Sequence, residues 1–166
     1  MDHTDTITRL RELIPTGELI SDLDKLNLST KYGISQQGHL PICILRPGNV
    51  DELASIIQYA GQSNISLTVT SSTGAHRKGG ITNQDEHILI DLSRWKKIDL
   101  VDRRNRVCRS EPGITYGELI HVLSAHGMTI PMPLSPRNGK SVLAAVMDRE
   151  PTTWAASTIS TGMPRK

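Results

Sequence analysis

The feature that most constrains this chain is a strand-helix-strand succession that begins at Pro41. Ile42-Cys43-Ile44-Leu45 is a continuous apolar run, the pattern of a strand buried on both faces. Pro47-Gly48 breaks it. Asn49 is a good N-cap, and Glu52 three residues on would complete a capping box. Leu53, Ile56, Ile57 and Ala60 then recur at helical spacing, with Gly61 near the end. Leu67-Thr68-Val69-Thr70 reads as the next strand. Two strands joined by a helix of this length should run parallel, with a right-handed crossover. The expectation is strands at 42–46, 66–70 and 87–92 in one sheet, with a helix over 49–62 packed on it.

The rest of the chain is arranged around this unit. Residues 4–14 read as an amphipathic helix through Ile7, Leu10, Leu13 and Ile14, stopped by Pro15-Thr16-Gly17. A second short helix is expected around 22–28. Residues 106–110 read as a fourth strand, and Glu111-Pro112-Gly113 as a turn. Thr115 and Glu118 form another capping box, opening a helix with Leu119, Ile120 and Leu123 inward. Gly127 suits the C′ position that closes it. Residues 131–136 are extended and proline-rich, and Ser141 can cap a short helix from Val142 to Met147. The pattern stops near Glu150-Pro151, and Thr152 to Lys166 has no apolar period. There are no internal repeats.

Composition narrows the function classes. Of 166 residues, 37% are apolar and the net charge is +2, so one folded domain is expected. Arg103, Arg104, Arg106 and the pair Lys96-Lys97 are the densest cations, and they read as solvated faces. Nucleic-acid binding needs a larger basic cluster, so none is expected. Cys43 and Cys108 each sit in apolar surroundings and read as free thiols. There is no apolar stretch of membrane-spanning length and no signal-peptide core, so the location is read as cytoplasmic, with no membrane partner. No metal-ligand spacing and no Ser-His-Asp order stands out. The chain has no Phe, so its core must rest on Ile, Leu and Val.

Two segments can carry chemistry. The first follows the 66–70 strand: Thr70, Ser71, Ser72, Thr73, Gly74, Ala75 and His76, continuing to Gly79-Gly80. Open α/β sheets bind ligands at the carboxyl ends of their strands. Small residues let backbone N–H groups approach an anion, and the hydroxyls add donors. The plain alternative is a surface loop of turn residues. This is neither a Walker loop nor a Gly-x-Gly-x-x-Gly turn. The second segment is the Pro112-Gly113 turn before the capped helix. His121 and His126 read as solvated or half-buried, and Asp148-Arg149-Glu150 as a surface ion cluster.

Taken in order, these elements resemble the FAD-binding domain of the glycolate oxidase and vanillyl-alcohol oxidase superfamily, the p-cresol methylhydroxylase type. The residues that carry the resemblance are Pro41 to Pro47, the capped helix, the strand running into a loop that ends Gly79-Gly80, Ile88-Leu89-Ile90-Asp91-Leu92 with Arg94-Trp95, and Glu111-Pro112-Gly113-Ile114 before a helix with Gly117-Glu118-Leu119. Gly17 to Asp22 and Tyr32 look like the family's lead-in. The resemblance spans roughly 41–135. It implies an α/β (α+β) fold of two subdomains with FAD between them, the first β-α-β subdomain complete and the second truncated. The chain then divides into a helical lead-in over 1–40, a partial FAD-binding domain over 41–150 and an atypical tail over 151–166. A change of reading frame in the gene near residue 152 would account for that tail.

The resemblance also implies roles. Thr70, Ser71, Ser72, Thr73, Gly74, Ala75 and His76 would cradle the pyrophosphate. Pro112 and Gly113 would line the flavin side, and Ser141 would contact phosphate or ribitol. In some relatives a loop histidine is joined covalently to the flavin. For His76 that role, hydrogen bonding to phosphate and a plain loop position all stay open. The chain departs from the family in its loop, which reads Ser-Ser-Thr-Gly-Ala-His where Arg-Gly-x-Gly is usual. A second glycine-rich phosphate segment is replaced by Lys140-Ser141-Val142-Leu143. The implied function is the FAD-binding portion of an oxidoreductase for 2-hydroxy acids or alcohols, inactive alone, with no catalytic residue of its own. The alternative is a non-catalytic module that folds with a protein partner or an oligomer covering the truncated edge.

Overall fold

The computed structural model describes residues 3–22, 40–72, 86–131 and 138–147. They form two compact units, Met1–Arg94 and Trp95–Lys166.

In the first unit, helix α1 (His3–Leu13) precedes strand β1 (Glu18–Ile20). Strand β2 (Cys43–Arg46), helix α2 (Val50–Ser63) and strand β3 (Ser66–Thr70) follow, and strand β4 (His87–Asp91) completes the sheet. The strand order is β1-β2-β4-β3. β2 and β3 both run parallel to β4, and β1 pairs antiparallel with β2. The expected β-α-β unit is present. β4 inserts between β2 and β3, so among the described residues β3 is an edge strand, and Val69 is 54% exposed. The fully apolar runs are those of β2 and β4, which have neighbours on both sides.

The core of this unit gathers Leu10, Ile14, Cys43, Leu45, Ile56, Ile88 and Ile90. Each such aliphatic side chain contributes about 1.5–3 kcal/mol on burial. α2 turns Ile56 and Ala60 inward, with Leu53 and Tyr59 packed beside them. Ile57 does not join the inner stripe: it is 52% exposed, one helical step of 100° beyond Ile56. The expected lead-in is not wholly helical, since β1 adds a strand to the sheet. The helix expected around 22–28 lies outside the described residues, apart from Asp22.

The expected N-cap of α2 is present, but the capping box is only half made. The Asn49 side chain accepts the Glu52 N–H at 2.9 Å. The Glu52 carboxylate does not return the bond to Asn49. It accepts from Gly48 N–H at 2.7 Å, Thr16 N–H at 2.7 Å and the Thr16 hydroxyl at 2.6 Å. Burial pushes the Glu52 pKa up, and these bonds outweigh it and hold the carboxyl below its ordinary value. The contact requires two glycines. A Cβ on Gly48 would collide with the Thr16 hydroxyl oxygen, and one on Gly17 would stand 2.6 Å from the Arg46 carbonyl oxygen.

In the second unit, strands β5 (Ile98–Asp102) and β6 (Val107–Ser110) form an antiparallel hairpin. Its turn holds Arg103, Arg104 and Arg106, all exposed as expected, and Arg106 has φ 54°. Helix α3 (Tyr116–Ser124) carries the expected full capping box between Thr115 and Glu118. Gly127, at φ 68°, closes it: its N–H bonds to Ser124 and that of Met128 to Leu123, a Schellman arrangement. Helix α4 (Val142–Met147) follows. Ile114, Leu119 and Leu123 are the core, with Ile98, Val101 and Met128 against them. Among the described residues, no helix is long and apolar enough to cross a membrane.

Candidate functional site

The carboxyl ends of the parallel strands lie where an open α/β sheet places a ligand. At the end of β3, Thr70 and Ser72 are buried, and the Thr70 hydroxyl donates to the Ser72 carbonyl at 3.1 Å. The Leu92 N–H ties this turn to β4 through the Thr70 carbonyl at 2.8 Å. Ser71 is half-buried beside them. Thr73, Gly74, Ala75 and His76 lie outside the described residues, and with them the question of what His76 does.

Next to this turn is a charge cluster that sequence reasoning did not find. Asp91, whose side chain is fully buried, ends β4 and is the register partner of Thr70. Its carboxylate accepts from Arg46 Nε at 3.0 Å and from the Ser93 N–H at 3.0 Å. Arg46, at the end of β2, also reaches Glu18 at 3.1 Å, and Arg94 meets Glu18 at 2.6 Å. Burial alone would lower the Arg46 pKa, but Asp91 and Glu18 outweigh it and raise it. Burial raises Glu18, and Arg46 and Arg94 reverse this, holding it below its ordinary value. The Asp91 charge is thereby balanced beside the turn. The available signal was a residue of opposite sign closing each of two apolar runs.

The second unit holds the other expected site residues. Gly113 is buried, and its N–H bonds to the Trp95 carbonyl at 2.7 Å. Pro112 is half-buried. The Ser141 hydroxyl donates to the Pro112 carbonyl at 2.7 Å and accepts from the Ala144 N–H at 3.1 Å. Ser141 caps α4, as expected, and from a fully buried position its hydroxyl holds the Pro112-Gly113 turn. Lys140, also fully buried, passes its carbonyl to the Tyr116 N–H at 3.0 Å, which fastens this segment to α3.

The thiols are free, as expected. Cys43 is buried and its pKa is pushed up to about 12 by burial, which makes it inert. Cys108 is partly buried and also raised by burial. His121 and His126 are exposed.

A β-α-β unit whose strand ends carry a turn of small hydroxyl residues, continuing in sequence into a unit with a buried glycine turn, defines a protein of the open-sheet α/β class. The family described as FAD binding domain matches residues 41–150, and the chain belongs to it. The glycolate oxidase subunit GlcD of Escherichia coli K12 is 20% identical over 128 residues, 77% of this chain and 26% of that protein. The D-lactate dehydrogenase of Archaeoglobus fulgidus is 25% identical over 88 residues, 53% of this chain and 19% of that protein. The crystal structure of p-cresol methylhydroxylase with substrate bound superposes with TM-score 0.71 at 16% identity, over 89% of this chain and 29% of that one. The chain therefore has the fold of p-cresol methylhydroxylase-type FAD-binding domains. It spans about a fifth to a quarter of the length of the curated relatives it matches.

The described residues fit such a cofactor. Diphosphate is held by N–H and hydroxyl donors at strand ends, and Ser71 and Ser72 are small hydroxyl residues at that place, in a turn that the Thr70 hydroxyl braces. Among the described residues, the carboxylate that ends a parallel strand there, Asp91, is paired with Arg46.

Proposed function

We propose that this chain is the FAD-holding portion of a flavin-dependent oxidoreductase acting on a 2-hydroxy acid or an alcohol, and that it does not turn over substrate alone. The observation that carries the reading is the family match over 41–150 joined to the strand-end turn at Thr70–Ser72. Glycolate and D-lactate, the compounds in two relatives' names, are both 2-hydroxy acids.

In this reading residues 70–76 hold the diphosphate, with Ser71, Ser72 and Thr73 adding hydroxyls to the loop amides and Gly74 permitting close approach. The Thr70 hydroxyl and the Leu92 amide keep the turn in place. Pro112 and Gly113 border the flavin, and Ser141 positions them through the Pro112 carbonyl. FAD, when bound, supplies the acceptor for a hydride from the substrate's carbinol carbon. The group that takes the hydroxyl proton belongs to polypeptide beyond this portion.

The test is the absorption spectrum of the purified chain reconstituted with FAD, before and after denaturation. Perturbed flavin bands that relax on unfolding are expected, and Gly74→Val should weaken binding by about tenfold or more. Equal FAD affinity in that variant, or a free-flavin spectrum throughout, overturns the reading. Flavin that stays with acid-precipitated protein would assign a covalent link to His76, and full release would exclude it. A non-catalytic module is the second reading. It is favoured by the exposed Val107, Leu143, Val146 and Met147 of the second unit, and it predicts no flavin bands at all.

A further inference from the structure

One end of the first unit's sheet is tied by side chains as well as by the ladder. Glu18 begins β1 and is the register partner of Arg46, which ends β2. Asp91 ends β4 and is the register partner of Thr70, which ends β3. The Arg46 guanidinium spans two carboxylates: Nε donates to Asp91 at 3.0 Å and Nη1 to Glu18 at 3.1 Å. Arg94 meets the same Glu18 oxygen at 2.6 Å. Acids and bases therefore alternate along one chain of ion pairs. The shielded members are Asp91, with a fully buried side chain, and Arg46, with one that is 19% exposed. Glu18 and Arg94 are open enough to solvent for salt to screen them.

Asp91 has a structural task here. It accepts the Ser93 N–H at 3.0 Å, and so shapes the turn whose Leu92 N–H holds the Thr70 carbonyl at 2.8 Å. The same carboxylate places a negative charge one strand spacing, about 4.8 Å between backbones, from the end of β3. An anion held at the Thr70–Ser72 turn meets that charge across protein, where screening is weak. Arg46 sets a positive charge in contact with it.

We propose that Arg46 is a positioning residue for anion binding at this turn. Acting through Asp91, it cancels the charge of the carboxylate that shapes the strand ends, and so lets a diphosphate ester settle beside them. The inference rests on the proposed function, which takes the turn as the FAD diphosphate site.

The full chain, Arg46→Met, Asp91→Asn and the double variant are titrated with FAD at pH 8, with flavin fluorescence giving each Kd. Urea denaturation gives the stability of each separately. Both single variants should be less stable than wild type, because each breaks a shielded ion pair from one side. Their FAD affinities should nevertheless move apart. Arg46→Met should bind about tenfold more weakly or worse. Asp91→Asn keeps an acceptor for Ser93 and should bind at least as tightly as wild type. The double variant should lie within about threefold of wild type, because the two residues act as one unit.

A purely structural brace predicts weaker binding in Asp91→Asn, in step with its lost stability. That outcome overturns the proposal, as does unchanged affinity in Arg46→Met. If Arg46→Met does not fold, Asp91→Asn still decides, by whether its affinity falls. The wild-type titration tests the proposed function by itself. No binding there overturns that reading and this one with it, whereas wild-type binding with all three variants weakened overturns this inference alone.

Discussion

Glu52 Oε1 accepts both the backbone N–H and the hydroxyl of Thr16, at 2.7 and 2.6 Å, across 36 residues of sequence. This contact ties the segment after α1 to the start of α2, while Oε2 holds Gly48. Glu52→Gln keeps the backbone N-cap from Asn49 but places a donor group where only acceptors fit. It should cost about 2–3 kcal/mol of stability, read from urea denaturation. A Thr16→Val background should shrink that cost, because the two residues share the interaction. Additive losses would show that the contact contributes little.

The same carboxylate sets an acid limit. The folded-state pKa of Glu52 lies below its ordinary value of 4.5, as does that of Glu18. A carboxyl depressed on folding contributes stability that is fully present above the ordinary value and lost as pH falls through the folded value. Thermal midpoints should hold level from neutrality to about pH 5 and drop below about pH 4. The drop should be shallower in Glu52→Gln. Glu18 is substantially exposed, so its share is smaller.

Three glycines should respond differently to alanine. At Gly48 the added methyl meets the Thr16 hydroxyl oxygen, with the Thr16 carbonyl carbon at 3.1 Å. The loss there should be about 1–3 kcal/mol. At Gly127 the left-handed φ of 68° makes alanine costly by about 1 kcal/mol, although space is available. At Gly61, inside α2, nothing lies within 4 Å, so alanine should stabilise by about 0.5–1 kcal/mol. Thermal unfolding of the three variants checks both sign and order.

Ser141→Ala removes the donor to Pro112 and the cap of α4 together. A loss of about 1–2 kcal/mol is expected. If the turn borders bound flavin, FAD affinity should fall as well, and Ser141→Thr should restore part of it. Unchanged stability would mean that Tyr116, Gly117 and Val142 hold this segment by their backbone bonds alone.

Much of the fold was legible because its signals are local. β2 and β4 announce themselves as apolar runs, and the Thr115–Glu118 box and Gly127 mark both ends of α3. β1 and β5 were not seen. β1 is three residues long, and in β5 the aspartates Asp99 and Asp102 stand three apart, which breaks the period-two alternation of a half-buried strand. The site was legible in part. Thr70, Ser71 and Ser72 were singled out by composition and do lie at a strand end. The pairing of Arg46 with Asp91 joins residues 45 apart, and no periodicity encodes it.

Sequence alone determined the kinds and limits of the main elements, because capping bonds and apolar periods act within a few residues. It also settled the family, through the order of those elements. Tertiary structure decided which strand lies between which, and so left Val69 on an exposed edge. It decided, too, that Glu52 bonds Thr16 instead of its own N-cap and that Ser141 holds Pro112. In each case a buried polar atom takes whichever donor or acceptor packing brings within reach, and that choice is made only when distant segments meet.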